Sequence, residues 1–348
     1  MRRNFLVTMV LMSALILSFA LTASAAPKYN WRMAIEEVPG SVQDIYAQEF
    51  AKRLQKASGG DIKLSIYPIG TLGTARDIFE MVQDGTIDFG ILSPGNTGGF
   101  VPENQIFSMQ FFFSDNMDVN KAVCQESKAL DILKGIYNKK GVKVLAFWPE
   151  GFQIWTSNRK LEKPEDFNGM KMRVMPSPML IAGYEAYGAN PTPLPFMEVY
   201  SGLQLKIIDG QENPIFAIEE MHFMDVQKYL TMSKHGVFFT STSMSADLYD
   251  SLPADVRTLV EKTIVGMQDF AFEAQAELNA TRLEKMKKET KNKFEIIELS
   301  DKARAQFREA SSEVLNTYYK LCNNSEASKQ IGPMLADEIR AMEKKFAK

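Results

Sequence analysis

Between Lys171 and Pro214 the sequence KMRVMPSPMLIAGYEAYGANPTPLPFMEVYSGLQLKIIDGQENP sets one arginine and one asparagine on short elements facing a common cleft. Arg173 falls in a brief strand, because Met172, Val174 and Met175 are apolar and a proline follows. Asn213 comes after the apolar Leu205, Ile207 and Ile208, read as a second strand, and precedes a helix-starting proline. A guanidinium is a planar fork that matches a carboxylate, and an amide beside it adds a donor and an acceptor. The chemistry implied is recognition of an organic acid. Arg173 could instead bind a surface acid such as Asp166. On a strand, however, its head group points away from Met172 and Val174, and an arginine on the inner side of a sheet needs an anion. Asn213 could also cap the helix starting at Pro214.

Other reactive groups are few. His222 and His235 lie in no metal-binding spacing, no serine sits in a nucleophile elbow, and no metal or cofactor is expected. The glycine-rich stretch Ser93 to Gly99 lacks the Gly-Lys-Ser/Thr ending of a phosphate loop and reads as a turn at the edge of a sheet. Glu150 is the one nearby acid that a hydrolase or lyase on this frame could use. Phe152, Trp155 and Phe196 are candidate ligand contacts, each with core packing as the alternative. Cys124 and Cys322, the only thiols, could form a disulfide in an oxidising compartment or serve as two small buried residues.

The elements that must position these groups alternate between strand and helix. A strand near Trp31 to Glu36, an amphipathic helix from Ser41 to Ala57, a strand at Ile62 to Tyr67, a helix at Ala75 to Gln83 and a strand at Ile87 to Leu92 predict a parallel sheet covered by helices. A helix at Val119 to Tyr137 and a strand at Val142 to Phe147 follow. Trp148-Pro149-Glu150-Gly151 then breaks the pattern, and a second α/β unit starts with strands near Ile154 and Lys171. The strand Gly236 to Thr242 returns the chain to the first unit. Pro253 to about Glu289 reads as one helix, interrupted only by Gly266, long enough to lie across both units. Asp301 to Ala347 reads as helical.

Arg2 and Arg3, an apolar run from Phe5 to Leu21 and the small residues Ala23-Ser24-Ala25 form the pattern of a cleavable export signal over residues 1–25. Loss of its two arginines leaves 38 basic against 43 acidic residues, a charge of −5. That mildly acidic balance argues against nucleic acid or anionic lipid as a partner. The remaining length exceeds one ordinary core and predicts two domains.

Several motifs together resemble the extracytoplasmic solute-binding subunits of TRAP transporters, the family named for C4-dicarboxylate uptake. They are SIYPIGTLGTARDIFEMVQDGTIDFGILS at Ser65 to Ser93, TSNRKLEKPEDFNGMKMRV at Thr156 to Val174, GANPTPLPFMEVYSGLQLKIIDGQENP at Gly188 to Pro214, and VQKYLTMSKHG at Val226 to Gly236. The resemblance implies an α/β two-domain clamp, each domain a mixed sheet flanked by helices, with a long helix spanning both. Residues 27–150 with 237–278 would form the first domain, 151–236 with 279–306 the second, and 307–348 a helical segment packed on them. It also implies a periplasmic monomer that hands an organic acid to TRAP membrane permease subunits. The matching arginine, Arg173, would bind the ligand carboxylate, with Asn213 assisting and Phe196 packing against the ligand. Glu36, Ser93, Gln153, Phe152 and Trp155 complete the expected contacts. Sialic-acid-binding members carry a second arginine where this chain has Gln153, and a glutamate where it has Ser93. Fewer fixed charges and three aromatics predict a ligand with one carboxylate and an apolar or aromatic body, with a C4-dicarboxylate or sugar acid as alternatives. A catalytic role on this frame, or service to a sensor kinase, are the competing functions.

Overall fold

The computed structural model describes residues 26–289 and 293–347, and the export signal expected over residues 1–25 lies outside them. Two sheets organise the chain. The first contains β1 (Tyr29–Ala34), β2 (Ile62–Tyr67), β3 (Phe89–Leu92), β4 (Val142–Phe152) and β10 (Val237–Ser245), in the order β2-β1-β3-β10-β4. β1 runs parallel to β2 and β3, as the strand-helix alternation requires, and β10 enters antiparallel between β3 and β4. The second contains β5 (Ile154–Ser157), β6 (Lys171–Val174), β7 (Asn190–Pro193), β8 (Gly210–Asn213), β9 (Tyr229–Met232) and β11 (Glu295–Glu298), in the order β11-β9-β5-β8-β6-β7. β7 holds Pro191 and Pro193 and is an edge strand, where a missing N–H costs no ladder bond.

Apolar layers cover both faces of each sheet. Along β5 the faces alternate: Ile154 joins Val199, Leu203 and Leu230 on one side, and Trp155 joins Phe167, Met172 and Tyr184 on the other. Helix Val42–Ala57 starts where Ser41 Oγ accepts from the Asp44 N–H, and it lays Tyr46, Phe50 and Leu54 against the first sheet. Cys124 and Cys322 are both buried, and both are free thiols.

A continuous two-stranded ribbon joins the sheets. β4 pairs antiparallel with β10 from Val142↔Ser245 to Phe152↔Val237, and β5 pairs with β9 in the same sense from Trp155↔Thr231 to Ser157↔Tyr229. Between the two ladders stands Gln153 on one segment and Ser233 to Gly236 on the other, tied by the Gln153 N–H donating to the Gly236 carbonyl at 2.8 Å. Trp148 to Gly151, expected to break the first unit, therefore runs on inside β4. A shift of register beside Glu150, with Gly151 at φ +142°, absorbs the irregularity that Pro149 and Gly151 announce in the sequence.

The chain is helical from Ala254 to Glu289, with Gly266 between the Ala254–Val265 and Met267–Glu289 segments. Asp269 pairs with Lys121 at 2.8 Å on the side of the first sheet. Further along, Arg282 pairs with Glu219 at 2.9 Å in helix Ile215–Glu220, which follows β8. The expected brace across both units is thus present. Elsewhere the elements are more divided than the sequence reading. Val119 to Tyr137 contains two helices, Met117–Glu126 and Lys128–Lys139, because Ser127 caps the second. The C-terminal stretch contains three, Asp301–Ala310, Val314–Leu321 and Glu326–Phe346. Residues Leu205 to Ile208 are no strand: they turn after helix Val199–Gln204, with Leu205 68% and Ile207 52% exposed and Ile208 buried, and Asn213 is itself the last residue of β8. Among the described residues no helix is long and apolar enough to cross a membrane.

Candidate ligand-binding cleft

A cleft of about 520 Å³ opens between the two sheets. On the side of the first sheet its wall holds Glu36 and Glu37, just after β1, with Asn96 and the Thr74–Arg76 start of helix Ala75–Gln83. The opposite wall holds Arg173 of β6, Asn213 of β8 and the Pro193–Glu198 segment that follows β7. Met175, Leu194, Phe196 and Phe238 supply apolar surface.

Arg173 stands where strand alternation puts it: Met172 and Val174 enter the core, and the guanidinium turns to the cleft. It is 2% exposed. Its Nε donates to the Leu194 carbonyl at 3.0 Å, and it forms no ion pair with any described residue. Burial lowers its pKa to about 10, with the nearby charge of Glu212 opposing the fall. A guanidinium this buried, steered by one carbonyl and lacking a carboxylate, is arranged to receive an anion. On the adjacent strand the Asn213 side-chain amide donates to Gln211 Oε1, which leaves Asn213 Oδ1 toward the cleft. It does not cap the following helix, whose N-cap is Pro214.

The acidic wall is built just as closely. Glu36 accepts from the Ser93 hydroxyl at 2.5 Å, the Ser93 N–H at 3.2 Å and Asn96 Nδ2 at 2.9 Å. Burial still raises it to about 8, against the pull of those donors. Glu37 is also raised by burial, and it shares a hydrogen bond with Glu150, which burial and the Glu37 charge hold well above the usual carboxylate range. Glu150 accepts from Gln43 Nε2 at 3.0 Å and is fully buried away from the cleft. It is therefore a structural acid of the first unit and not placed to attack a ligand.

Four of the expected site residues, Arg173, Asn213, Phe196 and Glu36, come together in the cleft. Four do not line it. Ser93 caps the short helix Pro94–Thr97, a helix where a turn was expected, and its hydroxyl orients Glu36. Gln153 lines a smaller cavity behind the cleft. Trp155 is fully buried in the core of the second unit, its ring stacked on His235 at 4.5 Å and its Nε1–H bonded to Tyr184 at 2.8 Å. Phe152 packs between apolar layers under the Lys234 ammonium, 5.2 Å from its ring centre. Proximity to the crossover placed both aromatics in the candidate set, whereas strand alternation turns them elsewhere. Sequence reading missed Glu37, Asn96 and Phe238. Glu37 follows Glu36 directly, and that acidic doublet at a strand end was the available signal.

Two lobes on separate sheets, with a buried guanidinium facing the cleft between them, define a two-domain clamp. The chain belongs to the bacterial extracellular solute-binding protein family 7, whose model matches residues 33–321. It is 36% identical over 306 residues to the ectoine/5-hydroxyectoine-binding periplasmic protein of Ruegeria pomeroyi, covering 88% of this chain and 89% of that one. Identity is 35% over 342 residues with the ectoine-binding periplasmic protein TeaA of Halomonas elongata, covering 98% and 97%. With the C4-dicarboxylate-binding protein DctP of Rhodobacter capsulatus it is 31% over 316 residues, covering 90% and 92%. The solved structure of the Halomonas ectoine-binding protein superposes with a TM-score of 0.85 at 34% identity, covering 90% of this chain and 99% of that one. The protein is thus a periplasmic solute-binding protein of the TRAP type.

Proposed function

We propose that this chain captures a compact organic acid with one carboxylate, an apolar body and a positively charged or hydrogen-donating group at the far end. The observation that carries the reading is the buried Arg173 guanidinium without an ion partner among the described residues, facing across the cleft toward Glu36 and Glu37. Arg173 would take the carboxylate as a fork, with Asn213 beside it. Phe196, Leu194 and Phe238 would cover the ligand body. A positively charged group at the far end would meet Glu36, whose raised carboxyl can give up its proton to pair with that charge. Ectoine, named for the relatives at 36% and 35% identity, is a compact cyclic zwitterion of the favoured kind. The ligand is released to the permease chemically unchanged, by a monomer. The one acid considered as a catalyst, Glu150, is enclosed behind the cleft wall.

A thermal-shift panel of ectoine, aliphatic and aromatic monocarboxylates, succinate and a hexuronate tests this. A ligand at a hundred times its Kd stabilises by about 2.7 kcal/mol. A zwitterionic monocarboxylate is expected to give the largest shift. Succinate leading would remove the role of the acidic wall, and a panel in which no carboxylate shifts the transition would overturn the reading of Arg173.

A further inference from the structure

Behind the cleft, where the ribbon passes from one sheet to the other, lies a second, smaller space of about 30 Å³. Met175 and Phe238 stand between it and the cleft, since they line both. Gln110, Gln153, Glu212 and His235 contribute its polar lining. Four side-chain atoms there are buried and have no hydrogen-bond partner among the described residues: Gln110 Nε2 and Oε1, Gln153 Oε1 and Glu212 Oε1. Their residues are 7%, 6% and 2% exposed, so bulk solvent does not satisfy them. Leaving a buried polar group unpaired forfeits its hydration without replacement, and native structures rarely tolerate several together. Direct protein partners are already committed nearby. Glu212 Oε2 accepts from the Tyr184 hydroxyl and faces His235 Nε2 at 2.7 Å, while His235 Nδ1 bonds Ser233 Oγ at 2.7 Å.

We propose that this cavity is a structural water site, holding one or two ordered molecules that bridge Gln110, Gln153 and Glu212. A buried water needs roughly 10–15 Å³ and two to four polar partners, and the space offers both. The three bridged residues belong to three different stretches: the Gln110 loop, the crossing segment at Gln153, and β8 next to Asn213. The Phe111 N–H, one residue from Gln110, donates to the His235 carbonyl at 2.5 Å and ties that loop to the other crossing segment. Water at this junction lets the segments shift by small amounts while every polar atom keeps a partner, because a water re-aims its bonds more readily than a fixed side-chain contact. The inference uses the clamp reading only for that last consequence.

The test is a high-resolution crystal structure of the ligand-free mature protein, with water-oxygen magnetic relaxation dispersion in solution. Density for an ordered water within hydrogen-bond distance of at least two of the three residues is expected. The Gln110→Leu, Gln153→Leu double variant should lose at least one long-residence water from the dispersion signal while still folding, as judged by circular dichroism. Should that double variant not fold, the singles Gln110→Met and Gln153→Met serve for the same comparison. An empty cavity, Gln110 turned to bond Gln153 or Glu212 directly, or a dispersion signal unchanged by the substitutions would overturn the proposal. None of these outcomes bears on whether Arg173 binds a carboxylate, which the ligand panel decides separately.

Discussion

Arg173 is held by one backbone carbonyl and leaves the rest of its fork to the cleft. Lysine at this position keeps the charge but loses the planar, bidentate geometry. Arg173→Lys is expected to preserve the fold and weaken ligand binding at least tenfold, about 1.4 kcal/mol, as read by titration calorimetry. Glu36 offers a second test. Raised to about 8, it is protonated at neutral pH in the ligand-free protein, and a ligand bringing positive charge to it would drive the proton off. Calorimetry in buffers of different ionisation enthalpy should therefore show proton release below about pH 8, with affinity rising as pH increases toward that value. Glu36→Gln should abolish both, whereas a wild-type affinity flat with pH would show that the ligand makes no charge contact there. The same shift acts on stability. A carboxyl raised in the folded state stabilises below its unfolded value near 4.5, and that contribution is lost as pH rises through 8; Glu220, also raised to about 8, acts in the same direction. Arg173 was legible in the sequence because strand alternation and residue chemistry agree. Trp155 was misplaced because its neighbourhood in the chain says nothing of which sheet face it occupies.

At the level of elements, β4 departs furthest from its sequence pattern. A proline and a glycine ordinarily end a strand, yet β4 continues through both because β10 shifts register around them. Gly151 is required there: at φ +142° a side chain is strained, and a Cβ would lie 2.7 Å from Asn279 Nδ2 on the long helix. Gly151→Ala is expected to destabilise the protein by about 1–3 kcal/mol in urea denaturation. An unchanged midpoint would mean that strand and helix yield there without cost. Strongly periodic elements, such as helix Val42–Ala57, were readable from the chain alone. The exposed Leu205 and Ile207 were not, because local apolarity looks the same whether a residue enters a core or stays on a surface turn.

Across the whole molecule, the cleft walls belong to different sheets, so a ligand held by Arg173 and Glu36 together would tie the two lobes to each other. Small-angle scattering should show a smaller radius of gyration with the cognate ligand than without it. The Arg173→Ala variant should keep its ligand-free value at the same ligand concentration. Identical curves for free and liganded wild type would show a rigid molecule. The two-unit plan followed from length and from the alternation of elements, and the strand Gly236 to Thr242 returns to the first unit as expected, whereas its antiparallel place between β3 and β4 and the order of the second sheet depend on long-range pairing that no local pattern encodes.

The ribbon that carries the chain between the sheets has a mechanical meaning. Its two plies are cross-linked on either side of the gap, so neither can slide along the other without breaking rungs. Pleated backbone bends out of its plane far more readily than it shears. With the long helix lying across both lobes as a third member, rocking about a single axis is the soft mode of this joint. If ligand draws the lobes together, a partner in the membrane has one angle to sense.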